Sequence, residues 1–228
     1  MASFEQAFAD PTRGLIVDPT TSGPTLLIAF GGIASQIGGV PPFEFLSVVR
    51  TQDARRVFVR DLDQCWYQRG VRGASTNAEE TTAALRAIID DTSPSRVVTL
   101  GTSAGGFGAI AFGCAVGADV ALAFGPQTFT STRLRRWHRD RRWAEEILTL
   151  DALDPAGVVR DLLPIVKTSA RSPRPTQVEI HYGAAARIDR VHAQRLRRAA
   201  NVTVHAHAGG HNVSKELRDR GELDSILT

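Results

Sequence analysis

The chain has 228 residues, of which 43% are hydrophobic and 22% are charged, so it is long enough for one domain, over 1–228, with a substantial core. Two cysteines and a net charge of +3 argue against a disulfide framework and against nucleic acid as the main partner. No apolar run approaches the roughly 18 residues of a membrane span, and the N-terminus lacks a basic start followed by an apolar run. We therefore predict a cytoplasmic protein that has no membrane partner.

Short apolar, β-rich runs alternate with helical patterns from about residue 25 onward. Strands are predicted at Leu26–Phe30, Val57–Arg60, Val97–Leu100, Val120–Phe124, Val178–Tyr182 and Val202–His205, and the pattern at Leu15–Val17 is typical of an antiparallel edge strand. Helices are predicted at Phe43–Ala54, Glu79–Asp90, Ala104–Val116, Asp189–Ala199 and Val213–Arg218. This alternation predicts an α/β fold with a mostly parallel sheet flanked by helices.

The segment 126–176 interrupts this alternation. It contains helical patterns around Leu134–Leu148 and Gly157–Ile165 and ends in an Arg/Ser/Pro-rich stretch, Ala170–Thr176. Connections in compact domains are usually only a few residues long. We therefore predict a helical insertion, or lid, over one end of the sheet.

A Gly-x-Ser-x-Gly motif, Gly101-Thr102-Ser103-Ala104-Gly105, lies between a predicted strand and a predicted helix. A nucleophile elbow needs this context, because a serine on a tight strand-to-helix turn requires small neighbours two residues away on each side. The N–H of Ala104, at the helix N-terminus, is a candidate oxyanion donor. The alternative is a glycine-rich turn that binds phosphate or only packs closely, although no Gly-Lys-Ser/Thr follows as in a P-loop.

A serine hydroxyl becomes a good nucleophile only when a positioned base takes its proton. His205 and His207 alternate along the last predicted strand, whereas His211 follows two glycines in a flexible loop before the next helix. We predict His211 as the base, with His207 as its main competitor. Three closely spaced histidines also suggest a metal site, but no carboxylate lies close by in the sequence, so we predict none.

The base needs a carboxylate that holds its tautomer and stabilises its charge. Asp189 is the first acid after the predicted strand at 178–182 and the only acid between that strand and His211. We predict Asp189 for this role; as an alternative, it serves only as a helix N-cap. Asp151 and Asp154 are the second choices.

A second oxyanion donor is expected from the loop after an early strand. Phe30-Gly31-Gly32-Ile33 follows the strand at 26–30, and glycine lets the backbone approach a substrate oxygen. We predict the N–H of Gly32, with Ile33 close behind. The alternative is a turn that requires a positive φ.

In their chain order, the Phe-Gly-Gly loop, the Ser103 motif, Asp189 and the Gly-Gly-His211 loop resemble the α/β-hydrolase superfamily in its compact esterase and thioesterase-like forms. The resemblance covers roughly residues 25–213. It implies acyl-enzyme chemistry without a cofactor, in which Ser103 attacks an acyl carbon, His211 moves the proton and Asp189 orients His211. One departure is Phe30-Gly31-Gly32, where many members have His-Gly.

Three residues are candidates for contact with substrate. Trp66 and Tyr67 follow the strand at 57–60, and Gln127 follows the strand at 120–124, at the edge of the sheet where active-site loops gather. As an alternative, the two aromatic residues anchor a long loop in the core.

A basic, aromatic segment lies within the insertion. Its arginines are Arg133, Arg135, Arg136, Arg139, Arg141 and Arg142. The segment has three interpretations: a solvated helix face, a cationic lid that attracts an anionic or carrier-bound acyl substrate, or a nucleic-acid contact. The chain is thus predicted to be a serine hydrolase of esters or thioesters; the alternatives are an acyltransferase with the same triad and a non-catalytic binding module.

Overall fold

Seven strands form one sheet in the part of the chain that the computed structural model describes, residues 4–33, 45, 49–153 and 157–227. They are β1 (Leu15–Asp18), β2 (Thr25–Phe30), β3 (Ala54–Val59), β4 (Arg96–Thr102), β5 (Val120–Phe124), β6 (Gln177–Gly183) and β7 (Val202–His207). Their order is β1-β3-β2-β4-β5-β6-β7, and every neighbouring pair is parallel except β1 and β3. The predicted mostly parallel sheet with an antiparallel edge strand is confirmed.

Nine helices lie in the same described residues, and from β3 onward at least one of them follows each strand. They are α1 (Phe4–Ala9), α2 (Ala78–Thr92), α3 (Ala104–Val116), α4 (Thr132–His138), α5 (Ala144–Asp151), α6 (Leu162–Ser169), α7 (Arg187–Leu196), α8 (Val213–Asp219) and α9 (Leu223–Leu227). Of the helix predicted at Phe43–Ala54, residues 43, 44 and 46–48 lie outside the described residues. Residues 50–53 form turns and bends instead of a helix, and Ala54 begins β3, because it pairs with Thr25 of β2. None of the described helices is long and apolar enough to cross a membrane.

The direction of chain travel across the sheet changes next to β2. Because β3 lies on one side of β2 and β4 lies on the other, the loops that leave these strands separate and form a crevice at their carboxyl ends. β2 is followed by Gly31-Gly32, and β4 ends immediately before Ser103. The topology therefore brings two predicted parts of the active site to one edge of the sheet.

α3 is apolar on every side. Its residues from Ala104 to Gly113 are all buried, which is typical of a helix in the middle of a domain. Leu162 and Val166 of α6 and Leu196 of α7 belong to the same core cluster, whereas α1, α8 and α9 cover the opposite face of the sheet through residues such as Val213. Both faces of the sheet are thus covered, as its nearly continuous apolar strands predict.

The helix predicted at Leu134–Leu148 is in fact two helices, α4 and α5. The chain breaks between them because Arg139 and Trp143 both have φ of 56°, in the left-handed region that ends a right-handed helix. The helical periodicity therefore predicted the type of structure correctly but missed the break.

The last part of the insertion belongs to the core. The helix predicted at Gly157–Ile165 instead starts at Leu162, because Asp161 caps it by accepting a hydrogen bond from the Leu163 N–H (3.1 Å). Since α6 packs beside α3, only α4 and α5 remain as a candidate lid.

Candidate active site

Ser103 occupies a strained turn between β4 and α3. Its backbone angles, φ 55° and ψ −116°, are rare for a residue other than glycine, and such strain is concentrated at functional sites. A methyl group on Gly101 would lie 2.2 Å from the carbonyl oxygen of Gly105, and one on Gly105 would lie 2.3 Å from that of Phe30. The close approach of strand and helix therefore requires both glycines, as a nucleophile elbow does.

His211 and Asp189 are in direct contact. The distance between His211 Nδ1 and Asp189 Oδ2 is 2.6 Å, and Asp189 is buried in the first turn of α7, where Ala186 rather than Asp189 holds the N-cap position. Because a carboxylate only accepts hydrogen bonds, Nδ1 carries the proton and Nε2 is left to accept one.

Gly125 joins the Ser103 turn to this pair. It follows Phe124, whose carbonyl accepts a hydrogen bond from the Ser103 N–H (2.9 Å). A methyl group on Gly125, which has φ of +52°, would lie 3.3 Å from both Asp189 Oδ2 and His211 Nδ1. The three residues predicted as a triad are therefore gathered around one glycine.

The Ser103 hydroxyl is buried and has no hydrogen-bond partner among the residues that the structure describes. The hydrogen bond that would join Ser103 to His211, the residue predicted as its base, is thus not formed in this structure. Catalytic hydrogen bonds are often long in an empty site and shorten when substrate binds. A buried hydroxyl without a partner costs about 1–3 kcal/mol, and a catalytic role is one of the few reasons why native proteins tolerate such a group.

The loop that carries His211 is fixed by its neighbours. Gly209 has φ of +110°, and the Glu216 carboxylate beside it accepts a hydrogen bond from the Gly210 N–H (3.2 Å). A methyl group on Gly183, at the end of β6, would lie 1.9 Å from the Gly210 carbonyl oxygen. The loop predicted as flexible is therefore a turn anchored to β6 and α8.

The loop after β2 packs against the start of α3. A methyl group on Gly105 would lie 2.9 Å from both the carbonyl carbon and oxygen of Gly31, and the Tyr67 hydroxyl donates a hydrogen bond to the Gly31 carbonyl (2.6 Å). Gly32, one residue further on, and Ala104, the first residue of α3, are both buried. Their N–H groups as oxyanion donors remain a prediction.

No protein-family model and no curated protein sequence matches the chain, but its structure is similar to solved ones. The capsule O-acetyltransferase of Neisseria meningitidis serogroup A is 15% identical, with a TM-score of 0.68 over 93% of this chain and 90% of that one. The Staphylococcus aureus fluorophosphonate-binding serine hydrolase FphF is 14% identical, with a TM-score of 0.61 over 96% and 95%. An α/β hydrolase from the metagenome of the Mar Chica lagoon sediments is 11% identical, with a TM-score of 0.57 over 93% and 92%. This chain has the α/β-hydrolase fold.

Within this α/β-hydrolase fold, the three residues predicted to contact substrate are buried. Trp66 Nε1 donates a hydrogen bond to Gln127 Oε1 (2.8 Å), and the exposed fractions of Trp66, Tyr67 and Gln127 are 1%, 0% and 3%. Tyr67 supports the loop after β2. These side chains therefore hold the loops around the site in place. For Trp66 and Tyr67, this agrees with the alternative interpretation, in which the two aromatic residues anchor a long loop in the core.

The other candidates for base and acid have different partners. His207 Nε2 lies 2.9 Å from His181 Nδ1, and Asp151 forms an ion pair with Arg160. Asp154 lies outside the described residues. Of the histidines near the elbow, His211 is the one in contact with Asp189.

Arg142 of the basic segment is bound to the candidate catalytic acid. Its Nη1 donates to Asp189 Oδ1 (2.8 Å), while its Nε and Nη2 donate to the two carboxylate oxygens of Asp140 (3.0 and 3.1 Å). Sequence reasoning missed this contact, because nothing local distinguishes Arg142 from the arginines around it. The connection between α4 and α5 is thus tied to the candidate active site.

Asp140 has a second partner, His192, whose Nε2 donates to Asp140 Oδ2 (3.1 Å) while its Nδ1 accepts from the Thr128 N–H (3.0 Å). Burial lowers the pKa of His192, so this ring is neutral, and with both nitrogens occupied it is not a rival base. Burial alone would raise the pKa of Asp140, but hydrogen bonds from His192 and Arg142 and the charge of Arg142 hold it well below its usual value. Asp140 is therefore an anion that holds Arg142 beside Asp189.

Proposed function

We propose that this protein cleaves an ester or a thioester through an acyl-enzyme formed on Ser103. The observation that carries the proposal is the 2.6 Å contact between His211 Nδ1 and the buried Asp189. Gly125 lies between this pair and the strained Ser103 turn. A nucleophile on a strand-to-helix turn and a base oriented by a buried acid are the parts that serine acyl chemistry needs.

In the first half-reaction, Ser103 Oγ attacks the acyl carbon and its proton passes to His211 Nε2. Asp189 accepts the Nδ1–H hydrogen bond throughout and stabilises the imidazolium. The N–H groups of Gly32 and Ala104 bind the oxyanion. When the tetrahedral intermediate collapses, the bond to the leaving group breaks, and His211 Nε2–H protonates the alcohol or thiol that departs.

In the second half-reaction, water attacks the acyl-serine and gives its proton to His211 Nε2. The Ser103 oxygen then leaves with that proton, and the carboxylic acid is released. No cofactor is needed for either half, because the chain's own residues supply the nucleophile, the base and the oxyanion donors.

Transfer of the acyl group to a hydroxyl other than water is the second candidate function. It is favoured by the similarity to the capsule O-acetyltransferase, whose TM-score of 0.68 exceeds the 0.61 of the serine hydrolase FphF. The two activities share the acyl-serine and differ only in the acceptor.

The surface of α4 supports an anionic substrate. Trp137 is 80% exposed, and it lines a groove of about 600 Å³ together with Arg133, Arg195, Arg198 and Asp161. Asp161 forms an ion pair with Arg195, which leaves Arg133 and Arg198 to give the groove its positive charge. Positive charge along a groove concentrates anions, and an exposed aromatic ring offers a stacking surface. Arg142 takes no part in this surface, because it is held by Asp140 and Asp189.

The experiment that tests the acyl-enzyme is fluorophosphonate labelling followed by mass spectrometry of the labelled peptide. We expect one label on Ser103, lost in Ser103→Ala and strongly slowed in His211→Ala. Ser172→Ala, which changes an exposed serine, is the matched control and should label like wild type. A folded protein that takes no label would instead support a non-catalytic binding module.

Product analysis separates the two candidate reactions. The purified protein is given an acetyl ester in water with and without an added sugar alcohol, and free acetate and acetylated alcohol are both quantified. Acetate as the main product in both mixtures supports the hydrolase, whereas acetylated alcohol in excess over acetate supports the transferase.

A further inference from the structure

Three side chains that bind metal ions in other proteins meet on β6 and β7, outside the catalytic triad. Glu179 and His181 are two residues apart on β6, so they point to the same face of the sheet. His205 of β7 is the direct register partner of His181, and side chains of paired residues also share a face. No carboxylate lies close to His205 in the sequence, but the pairing of β6 with β7 brings the Glu179 carboxylate beside it.

The potential ligand atoms of these residues converge. Glu179 Oε2 lies 4.0 Å from His181 Nε2 and 3.9 Å from His205 Nε2. Both Nε2 atoms are buried and have no hydrogen-bond partner among the described residues. Because buried polar nitrogens are nearly always paired in native proteins, two of them beside one carboxylate form a candidate ligand-binding site.

Two neighbouring side chains, those of His207 and Phe124, hold the ring of His181 in place. Its Nδ1 lies 2.9 Å from His207 Nε2, and its plane stacks on Phe124 with 4.9 Å between ring centroids. A metal-binding histidine usually has its other ring nitrogen fixed in this way by a second residue. Burial, together with His205 and His207, lowers the pKa of His181 to about 3, so the ring is in the neutral form that binds metals.

We propose that Glu179, His181 and His205 bind a divalent transition-metal ion, with Zn²⁺ as the preferred occupant. Two imidazoles and one carboxylate suit Zn²⁺ rather than Mg²⁺ or Ca²⁺, which prefer oxygen ligands only. Tetrahedral zinc with bonds of about 2.0–2.1 Å separates its ligand atoms by about 3.4 Å, so the oxygen–nitrogen distances must shorten by roughly 0.5 Å. Water completes the coordination.

Two of the three ligands are free to make this adjustment. The side chains of Glu179 and His205 are 37% and 41% exposed, whereas His181 is fixed. The rings of His181 and His205 lie 15° from parallel, so the His205 ring must turn for both Nε2 atoms to face one ion. Binding therefore fastens the edge strand β7 to β6, close to where the chain leaves β7 for the loop that carries His211.

The test uses the full chain without a histidine tag, after treatment with EDTA and buffer exchange. We expect Zn²⁺ to bind with one equivalent in calorimetry and to raise Tm by about 5–10 °C at a hundredfold excess over Kd. Glu179→Gln and His205→Ala change the two half-exposed ligands, and each should weaken binding at least tenfold. His138→Ala changes a histidine on α4 and is the matched control with unchanged binding.

Co²⁺ absorption of the wild-type protein is a second readout that does not depend on any variant. Visible bands of four- or five-coordinate Co²⁺ without a thiolate charge-transfer band support the nitrogen and oxygen ligands. The proposal is overturned if Zn²⁺ shows no saturable binding below about 100 µM, if both ligand variants bind as wild type does, or if the Co²⁺ spectrum shows thiolate ligation by Cys65 or Cys114.

Discussion

Arg142→Gln is the most direct test of the link between the insertion and the proposed active site. Arg142 makes three charge-assisted hydrogen bonds, one to Asp189 (2.8 Å) and two to Asp140 (3.0 and 3.1 Å). The side chains of the two aspartates are only 1% and 4% exposed. Glutamine has a shorter side chain and no charge, so the substitution leaves two buried carboxylates without their shared cation.

The expected loss of stability follows from these contacts. Removing one partner of a buried ion pair costs about 3–5 kcal/mol. The side chain of Arg142 is 28% exposed, so water reaches part of the site and screens the charges. The expected loss of stability therefore lies at the lower end of that range, about 3 kcal/mol. For a chain of this length, each kcal/mol lowers Tm by about 2–4 °C, so Tm should fall by roughly 6–12 °C.

Activity should also fall, because Asp189 loses one of the two partners that orient it. Misplacement of a catalytic group by about 1 Å costs on the order of a hundredfold, and we expect kcat/KM on a small aryl ester to fall tenfold to a hundredfold. Arg141→Gln is the matched control, since Arg141 is an exposed neighbour and should change stability by less than about 0.5 kcal/mol.

A double-mutant cycle with Asp140→Asn identifies the cause. Urea unfolding of both single variants and of the double variant should give a coupling free energy of about 1–3 kcal/mol, because Asp140→Asn removes one of the unpaired charges. An Arg142→Gln protein with the stability and kcat/KM of wild type would refute the reasoning, as would the absence of coupling to Asp140.

Three further predictions concern the triad, acid stability and the α4 surface. Asp189→Asn should lower kcat for ester hydrolysis by about 10³–10⁴-fold with the fold intact by circular dichroism; near-normal turnover would transfer the role to another acid. Since the folded-state pKa of Asp140 lies below its unfolded value of about 3.9, its contribution to stability is present above about pH 4 and is lost as the pH falls through the folded-state pKa. Urea unfolding of Asp140→Asn should therefore show lower stability at pH 7 and a shallower decline below pH 4, and parallel pH profiles would contradict this. Arg133→Gln combined with Arg136→Gln should lower kcat/KM for an anionic ester and flatten its salt dependence, because exposed charges act over roughly 10 Å at 0.1 M salt. The kcat/KM for a neutral ester should stay unchanged. Equal losses on both esters would mean that these arginines have only a structural role.

The strands and the Ser103 turn follow from local sequence, and the choice of His211 and Asp189 follows from their place after the last strands of a parallel sheet. The bounds predicted for α3, Ala104–Val116, are those of the structure, because the strand before it and the glycine after it mark both ends. Asp189 was predicted from its position after β6, and in the structure it contacts His211. In each case, short-range patterns and the order of elements in a parallel sheet determine the result.

The remaining features depend on contacts between distant residues. Arg142 and Asp189 are 47 positions apart, and the pairing of Glu179 with His205 requires the register of β6 and β7. The break between α4 and α5 rests on left-handed angles at Arg139 and Trp143, residue types that do not favour such angles. A helical pattern cannot reveal a break that neither glycine nor proline marks.

The strained turn at Ser103 has a consequence for engineering this protein. The folded chain holds a serine at φ 55° and ψ −116°, at an expense of about 1–3 kcal/mol that is present whether or not a substrate is bound. Glycine tolerates these angles, so exchanging Ser103 for glycine relaxes the backbone while it removes the hydroxyl that we propose as the nucleophile. A search for thermostable variants that does not also select for turnover is therefore biased toward inactive proteins at this position.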